Sequence, residues 1–118
     1  MDQTEMKKRT KEFAKEIIIL CRKLPNNREG RLIGDQIFRS GTSIAANYRS
    51  ACRARSKADF ISKLSIVEEE ADETLFWLEV IKERKVFVYA KLDALMIENE
   101  EILAIVVASI RTAKKNKA

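Results

Sequence analysis

Mostly apolar side chains recur between residues 56 and 83 at alternating steps of four and three, and this regularity restricts the fold most. The repeat consists of Phe60, Leu64, Val67, Ala71, Thr74, Leu78 and Ile81. On an α-helix these positions form one seam, and a heptad seam favours neighbouring helices packed about 20° from antiparallel. A segment from about residue 89 to 114 follows the same rule, with Leu92, Leu95, Asn99, Ile102, Val106, Ser109 and Ala113. The two seams together predict a helical bundle.

Two further helices are predicted in the N-terminal half of the chain. In the first helix the apolar residues at helical spacing are Met6, Phe13, Ile17, Leu20 and Leu24. In the second they are Ile33, Ile37, Ile44, Tyr48 and Ala51. Pro25 ends the first helix, and Gly30 is expected to close the loop. We therefore predict helices at about 4–24, 31–54, 56–83 and 89–114 in a single 118-residue domain. The predicted fold is all-α, an antiparallel up-down-up-down four-helix bundle, because three glycines and one proline are too few for a β-sandwich or barrel.

The chain contains no histidine, which excludes several kinds of catalytic and metal site. Ser-His-Asp and Cys-His nucleophiles, HExxH zinc sites and Glu-x-x-His di-iron sites all require that residue. Cys21 and Cys52 lack metal-ligand spacing, so we expect reduced, buried, small apolar residues. The acids between Glu68 and Glu73 point in different directions on a helix, which favours a solvated face. We expect no enzymatic activity, no metal and no cofactor.

No segment is apolar enough to predict a membrane span. The longest apolar run, residues 102–108, is far shorter than the ~18–20 residues that a span needs. The N-terminal residues are charged and show no signal or transit pattern. A cytoplasmic protein without a membrane partner is the expectation.

The second predicted helix carries a stripe of arginines. At 100° per residue, Arg31, Arg39, Arg49 and Arg53 fall within a sector of about 80°, together with Asp35. The candidate nucleic-acid-binding residues are Arg31, Arg39, Arg49, Arg53, Arg55 and Lys57. Arginine suits phosphate because its planar fork can bind two oxygens at once. The alternative is a solvated face, or arginines paired with acids of the third helix.

Two other stripes on the same helix predict close contacts. The polar stripe consists of Gln36, Ser40, Ser43, Asn47 and Ser50 and indicates a hydrogen-bonded helix interface, within the bundle or between subunits. Its alternative role is phosphate contact beside Arg39. The small stripe consists of Gly34, Gly41, Ala45 and Cys52. Each glycine inside a helix costs about 1 kcal/mol relative to alanine, so close helix approach must offset that cost.

The third helix has a second apolar surface outside its seam. Its members are Ile66, Phe76, Trp77 and Val80. Exposed apolar patches with aromatic residues mark protein interfaces, which makes these residues candidates for an oligomer interface. The alternative is that a neighbouring helix of the bundle covers them.

Residues 32–49 resemble the core motif of the small four-helix-bundle proteins encoded in 23S rRNA intervening sequences. The stretch reads Leu-Ile-Gly-Asp-Gln-Ile-Phe-Arg-Ser-Gly-Thr-Ser-Ile-Ala-Ala-Asn-Tyr-Arg, and residues 51–60 and 68–78 continue the resemblance. The match at Gln36, Arg39, Ser40, Ser43 and Asn47 is specific. The resemblance implies a four-helix bundle that assembles as a homopentamer without established enzymatic activity. The accessory variability determinant of diversity-generating retroelements, a basic pentamer that binds nucleic acid and a reverse transcriptase, is similar in architecture.

Two functions are compatible with these patterns. The first is a non-enzymatic oligomer that binds RNA or DNA through the arginine stripe. The second is a protein scaffold or adaptor that uses the apolar and acidic surface of the third helix. The sequence has 23 basic and 18 acidic residues, and its net charge of +5 is unevenly distributed, with basic residues on the second helix and acids on the third.

Overall fold

The computed structural model describes residues 1–116 and contains four long helices within them. These are α1 (Gln3–Lys23), α2 (Arg28–Cys52), α3 (Lys57–Glu83) and α4 (Leu92–Lys115). Each helix packs against the next along the chain, and α1 contacts α4 to close the bundle. The predicted all-α, up-down-up-down four-helix bundle is confirmed, as a rod of 51 × 20 × 20 Å. Within the described residues no helix is long and apolar enough to span a bilayer.

Side-chain caps fix three of the helix starts. Asp2, Asn27 and Ser56 accept hydrogen bonds from backbone N–H groups three residues later, at 2.8, 2.8 and 3.0 Å. Because Asn27 caps α2, this helix begins three residues earlier than predicted. Gly30 therefore lies inside α2 and not in the loop, and its Cα is so close to Pro25 that an added Cβ would be 2.0 Å from the Pro25 carbonyl oxygen.

The helix α4 begins three residues later than predicted. Its N-cap residue, Lys91, has no side-chain cap, and residues 84–91 form an irregular connection after α3. Lys85 lies in the left-handed region at φ 52° and directs the chain out of α3. The stacked rings of Phe87 and Tyr89, 5.5 Å apart, cover the core beneath this connection.

The core consists mainly of the predicted seams. From α3, Leu64, Val67, Ala71, Thr74, Leu78 and Ile81 are all buried, and Phe60 is half-buried. The α4 prediction is correct through Val106 and wrong at its last two positions, because Ile110 is buried while Ser109 and Ala113 are only half-buried. A straight helix drifts relative to a strict heptad, and the drift brings the larger apolar Ile110 to the core.

A polar layer crosses the middle of this core. The hydroxyls of Ser40 and Thr74 are 2.8 Å apart, and Thr74 donates to the Glu70 carbonyl at 2.8 Å. Since a hydroxyl has one proton, Ser40 donates to Thr74. From α4, Asn99 donates its amide Nδ2 to the Ala71 carbonyl at 2.9 Å. These contacts join α2, α3 and α4 at one level.

The seam between α1 and α4 is joined by one arginine. Arg9 donates to both carboxylate oxygens of Glu98 at 2.6 and 2.7 Å, and to Glu101 at 2.7 Å. These hydrogen bonds raise the pKa of the Arg9 guanidinium above its ordinary value, with Glu98 contributing most. A forked ion pair of this kind fixes both distance and orientation between two helices.

Candidate nucleic-acid interface

The predicted arginine stripe is divided by its surroundings. Arg39 donates to Glu73 of α3 at 2.6 Å and to Glu70 at 3.5 Å. The hydrogen bond to Glu73 is the main reason why the pKa of Arg39 is raised. For this residue the alternative interpretation, an arginine paired with acids of the third helix, is the one that the structure supports.

Arg31 lies far from the other end of the stripe. It donates from Nη1 to Asn26 Oδ1 at 3.3 Å, at the start of α2. Arg53 is 22 residues further along, which places it about 33 Å away along the helix axis. The two arginines therefore cannot contact the same short ligand.

Arg49 and Arg53 line a groove between α1 and α2. The remaining cations of this groove come from α1, and the whole set consists of Lys7, Lys8, Lys11, Lys15, Arg49 and Arg53. We call these six residues the cationic groove. Its other lining residues are Glu12, Thr42, Ala45 and Ala46, and it encloses about 660 Å³. The structure thus joins two predicted arginines with four lysines that the sequence analysis did not select.

The cationic groove retains nearly all of its charge. All six basic residues are exposed, and Glu12 is the one acid in the lining among the residues that the structure describes. Glu12 lies 3.1 Å from Lys15, and within residues 1–116 no other cation of the set has an acid within ion-pair distance. A concave surface with several unpaired charges of one sign raises the local concentration of an oppositely charged ligand.

Arg55 and Lys57 lie just beyond the cationic groove. Both are exposed and flank Ser56, the N-cap of α3. In the bundle, α2 ends and α3 begins at the same end at which α1 starts. These two residues therefore lie at the same end of the rod as Arg53, outside the lining of the groove.

The polar stripe separates into a buried and an exposed part. Ser40 is fully buried in the polar layer, so it is unable to contact phosphate and the predicted internal helix interface is the correct interpretation there. Asn47 is half-buried and donates to the Ser43 carbonyl at 2.9 Å, within α2 itself. Gln36 is exposed and Ser50 is half-buried.

The apolar surface of α3 is also covered unevenly. Phe76 is 53% exposed and Ile66 is 40% exposed, whereas Trp77 and Val80 are half-buried against the core. The rings of Phe76 and Trp77 meet edge to face, with centroids 4.9 Å apart. Coverage within the bundle thus explains Trp77 and Val80, and leaves Phe76 and Ile66 as the exposed part of this surface.

Charge divides the molecule into two halves. The helix α1 has seven basic and three acidic residues and α2 has four and two, giving this half +6. The helix α3 has three basic and eight acidic residues and α4 has three and four, giving −6. The acidic side lies on α3 as predicted, whereas the main source of positive charge is α1 and not the predicted α2.

The cysteines are free, as expected, but neither is fully buried. Cys21 is half-buried, and its thiol lies 3.7 Å from the Gly34 carbonyl, to which it donates. Burial, with a smaller contribution from Asp35, raises the pKa of Cys21 to about 11. The described residues contain no group of three or more side chains arranged to hold a metal ion.

Comparison with known proteins identifies the family. The model of the 23S rRNA-intervening sequence proteins matches residues 2–108. The crystal structure of a protein of unknown function from Bacteroides thetaiotaomicron, of the S23 ribosomal protein family, is similar at 36% identity and a TM-score of 0.85. The match covers 94% of this chain and 99% of that chain. No curated protein matches the chain significantly. The resemblance seen in residues 32–78 is confirmed, and the chain belongs to the 23S rRNA-intervening sequence protein family.

Proposed function

We propose that this protein is a non-enzymatic oligomer that binds the phosphate backbone of RNA or DNA through the cationic groove. The observation that carries the proposal is the convergence of six exposed cations from two helices around a single acid. Arg39, which the sequence analysis included in the site, is excluded from it because Glu70 and Glu73 neutralise its charge.

The composition of the groove suits a phosphate backbone. The arginine forks and lysine ammonium groups supply charge-assisted donors, and Thr42, Ala45 and Ala46 leave space between them. Phosphate contacts position a nucleic acid without reading its sequence. The affinity is therefore expected to fall steeply as salt concentration increases.

Self-association would repeat the groove. The family resemblance implies a homopentamer, and the exposed Phe76 and Ile66 give α3 an apolar surface that a second copy could cover. Several grooves on one assembly would bind one polyanion with a higher avidity than a single groove. Light scattering after size-exclusion chromatography tests this part, and a monomer at micromolar concentration would contradict it.

The test of nucleic-acid binding compares two charge reversals. Arg49 and Arg111 are both exposed arginines near the C-terminal ends of their helices, but only Arg49 lies in the groove. We expect Arg49→Glu to lower the affinity for RNA or DNA at least tenfold and Arg111→Glu to change it less than twofold, in gel-shift titrations. Equal losses would indicate a general charge effect and contradict the proposed site.

A scaffold function is the competing proposal, because exposed Phe76 lies on the acidic α3 and both could contact a protein partner. Pull-down from cells with and without nuclease distinguishes the two. A partner that survives nuclease and is lost in Phe76→Ala favours the scaffold. Loss of all partners with nuclease favours nucleic-acid binding.

A further inference from the structure

We infer that the cationic groove takes one strand of nucleic acid, with its backbone in the groove and its bases turned outward. This inference rests on the proposed function and goes beyond it, because it selects single-stranded over double-stranded ligands. Three observations support the inference: α1 and α2 are in close contact, the lysines of α1 form a cationic wall of limited length, and the floor between the cations contains the small residues Ala45 and Ala46.

The two helices that form the groove are held in close contact. A Cβ added to Gly41 would lie 2.8 Å from Cγ2 of Ile17, and one added to Gly34 would lie 3.3 Å from Cδ1 of Leu24. Helices in contact have axes about 8–10 Å apart. The major groove of duplex DNA is by itself about 12 Å wide, so a whole duplex exceeds the space between α1 and α2. A single strand is the form that can contact both walls.

The α1 wall fits a short stretch of backbone. Lys7, Lys11 and Lys15 follow one another at steps of four residues, so each step advances about 6 Å and the wall is about 12 Å long. The three lysines of this wall and one arginine of the opposite wall, each contacting one phosphate, give about four phosphate contacts. The opposite wall consists of Arg49, in the last turn of α2, and Arg53, the C-cap residue of that helix.

The floor of the groove offers nothing on which a base could stack. Among residues 1–116, none that lines the groove is aromatic, and the nearby Tyr48 of α2 is buried in the core. Proteins that bind unstacked bases use exposed aromatic platforms. The small residues Ala45 and Ala46 instead admit the sugar-phosphate chain, so we infer binding without base preference.

The experiment measures fluorescence anisotropy of the full-length protein with labelled oligonucleotides of equal length. The probes are oligo-U, oligo-C and a blunt RNA duplex of about 20 base pairs, each titrated at low salt. We expect both single strands to bind within threefold of each other and at least tenfold more tightly than the duplex. Duplex binding equal to or tighter than single-strand binding would overturn this inference while supporting the proposed function. Absence of binding to every probe would overturn both.

A larger side chain in the floor of the groove tests whether the nucleic-acid strand lies there. Ala46→Leu puts a larger side chain into the groove without altering its charge, and Ala104→Leu makes the same change at an exposed alanine of α4. We expect Ala46→Leu to weaken single-strand binding at least fivefold and Ala104→Leu to weaken it less than twofold, with both variants equally helical by circular dichroism. An unchanged affinity of the Ala46→Leu variant would show that the strand lies elsewhere.

Discussion

The glycines of α2 allow the close packing of α1 and α2 to be tested by single methyl groups. In Gly41→Ala the new Cβ would meet Ile17 at 2.8, 3.0 and 3.2 Å. Ile17 is fully buried, and its β-branched side chain has little freedom to move. Overpacking costs about 1–3 kcal/mol, against about 1 kcal/mol gained when alanine replaces a helical glycine. We therefore expect Gly41→Ala to lower the free energy of unfolding by about 1 kcal/mol.

Two neighbouring glycines serve as controls with opposite expected outcomes. In Gly34→Ala the new Cβ meets only Cδ1 of Leu24 at 3.3 Å, the far end of a flexible and half-buried side chain. Alanine is more favourable than glycine inside a helix, and little of that advantage should be lost to this contact. The free energy of unfolding should therefore increase by up to about 1 kcal/mol. In Gly30→Ala the Cβ would be 2.0 Å from the Pro25 carbonyl oxygen. Backbone must move in that case, and we expect a loss of about 3 kcal/mol.

Urea denaturation at one fixed protein concentration measures the series, because the stability of an oligomer depends on concentration. The expected order of stability is Gly34→Ala, wild type, Gly41→Ala and Gly30→Ala, from highest to lowest. In a chain of this length, 1 kcal/mol corresponds to about 4 °C in Tm. A stabilisation by Gly41→Ala equal to that by Gly34→Ala would refute the close approach of α1 and α2.

Two further predictions concern buried groups. Asn99→Leu replaces a fully buried amide, whose Oδ1 has no hydrogen-bond partner within the described residues, by an apolar group of similar shape. We expect a gain of about 1 kcal/mol in urea denaturation, and a comparable loss would show that the amide is net stabilising. Burial raises the pKa of the Cys21 thiol from 9.0 in the unfolded chain to about 11 in the folded protein, so the folded protein keeps this proton at pH 9. Because the unfolded chain loses the proton at lower pH than the folded protein does, the free energy of unfolding should fall as pH rises from 9 to 11. In a Cys52→Ser variant, the rate of thiol modification should accordingly rise up to about pH 11, and a plateau near pH 9 would contradict the burial.

The sequence was sufficient to predict contacts that repeat along one helix. The α3 seam from Leu64 to Ile81 was predicted correctly because burial there follows a strict period. At Ile110 the prediction failed, because the drift of α4 relative to a heptad depends on packing against its neighbours. The early start of α2 was missed because the Asn27 cap leaves no mark in the apolar pattern.

The candidate site was less predictable because it depends on pairs of helices. Arg39 and Arg49 lie at opposite edges of the arginine stripe, about 80° apart on a helical projection of α2, and the projection does not tell which edge faces α3. In the structure only Arg39 lies within reach of Glu73 on α3. The lysines of the groove could have been recognised in the sequence, since the four-residue spacing of Lys7, Lys11 and Lys15 places them on one side of α1. Their significance emerges only when α1 is placed beside Arg49, which a single-helix argument does not specify.

The decisive measurement for the cationic groove is the salt dependence of binding to a single-stranded RNA. For about four phosphate contacts per strand, the logarithm of affinity should fall with a slope of about −3 against the logarithm of salt concentration. Between about 50 and about 200 mM salt, the wild-type protein should therefore lose about fiftyfold in affinity, and the slope should become shallower in Arg49→Glu but not in Arg111→Glu. An absence of binding at the lower salt concentration, or equal slopes for all three proteins, would contradict the assignment of the cationic groove as a nucleic-acid site.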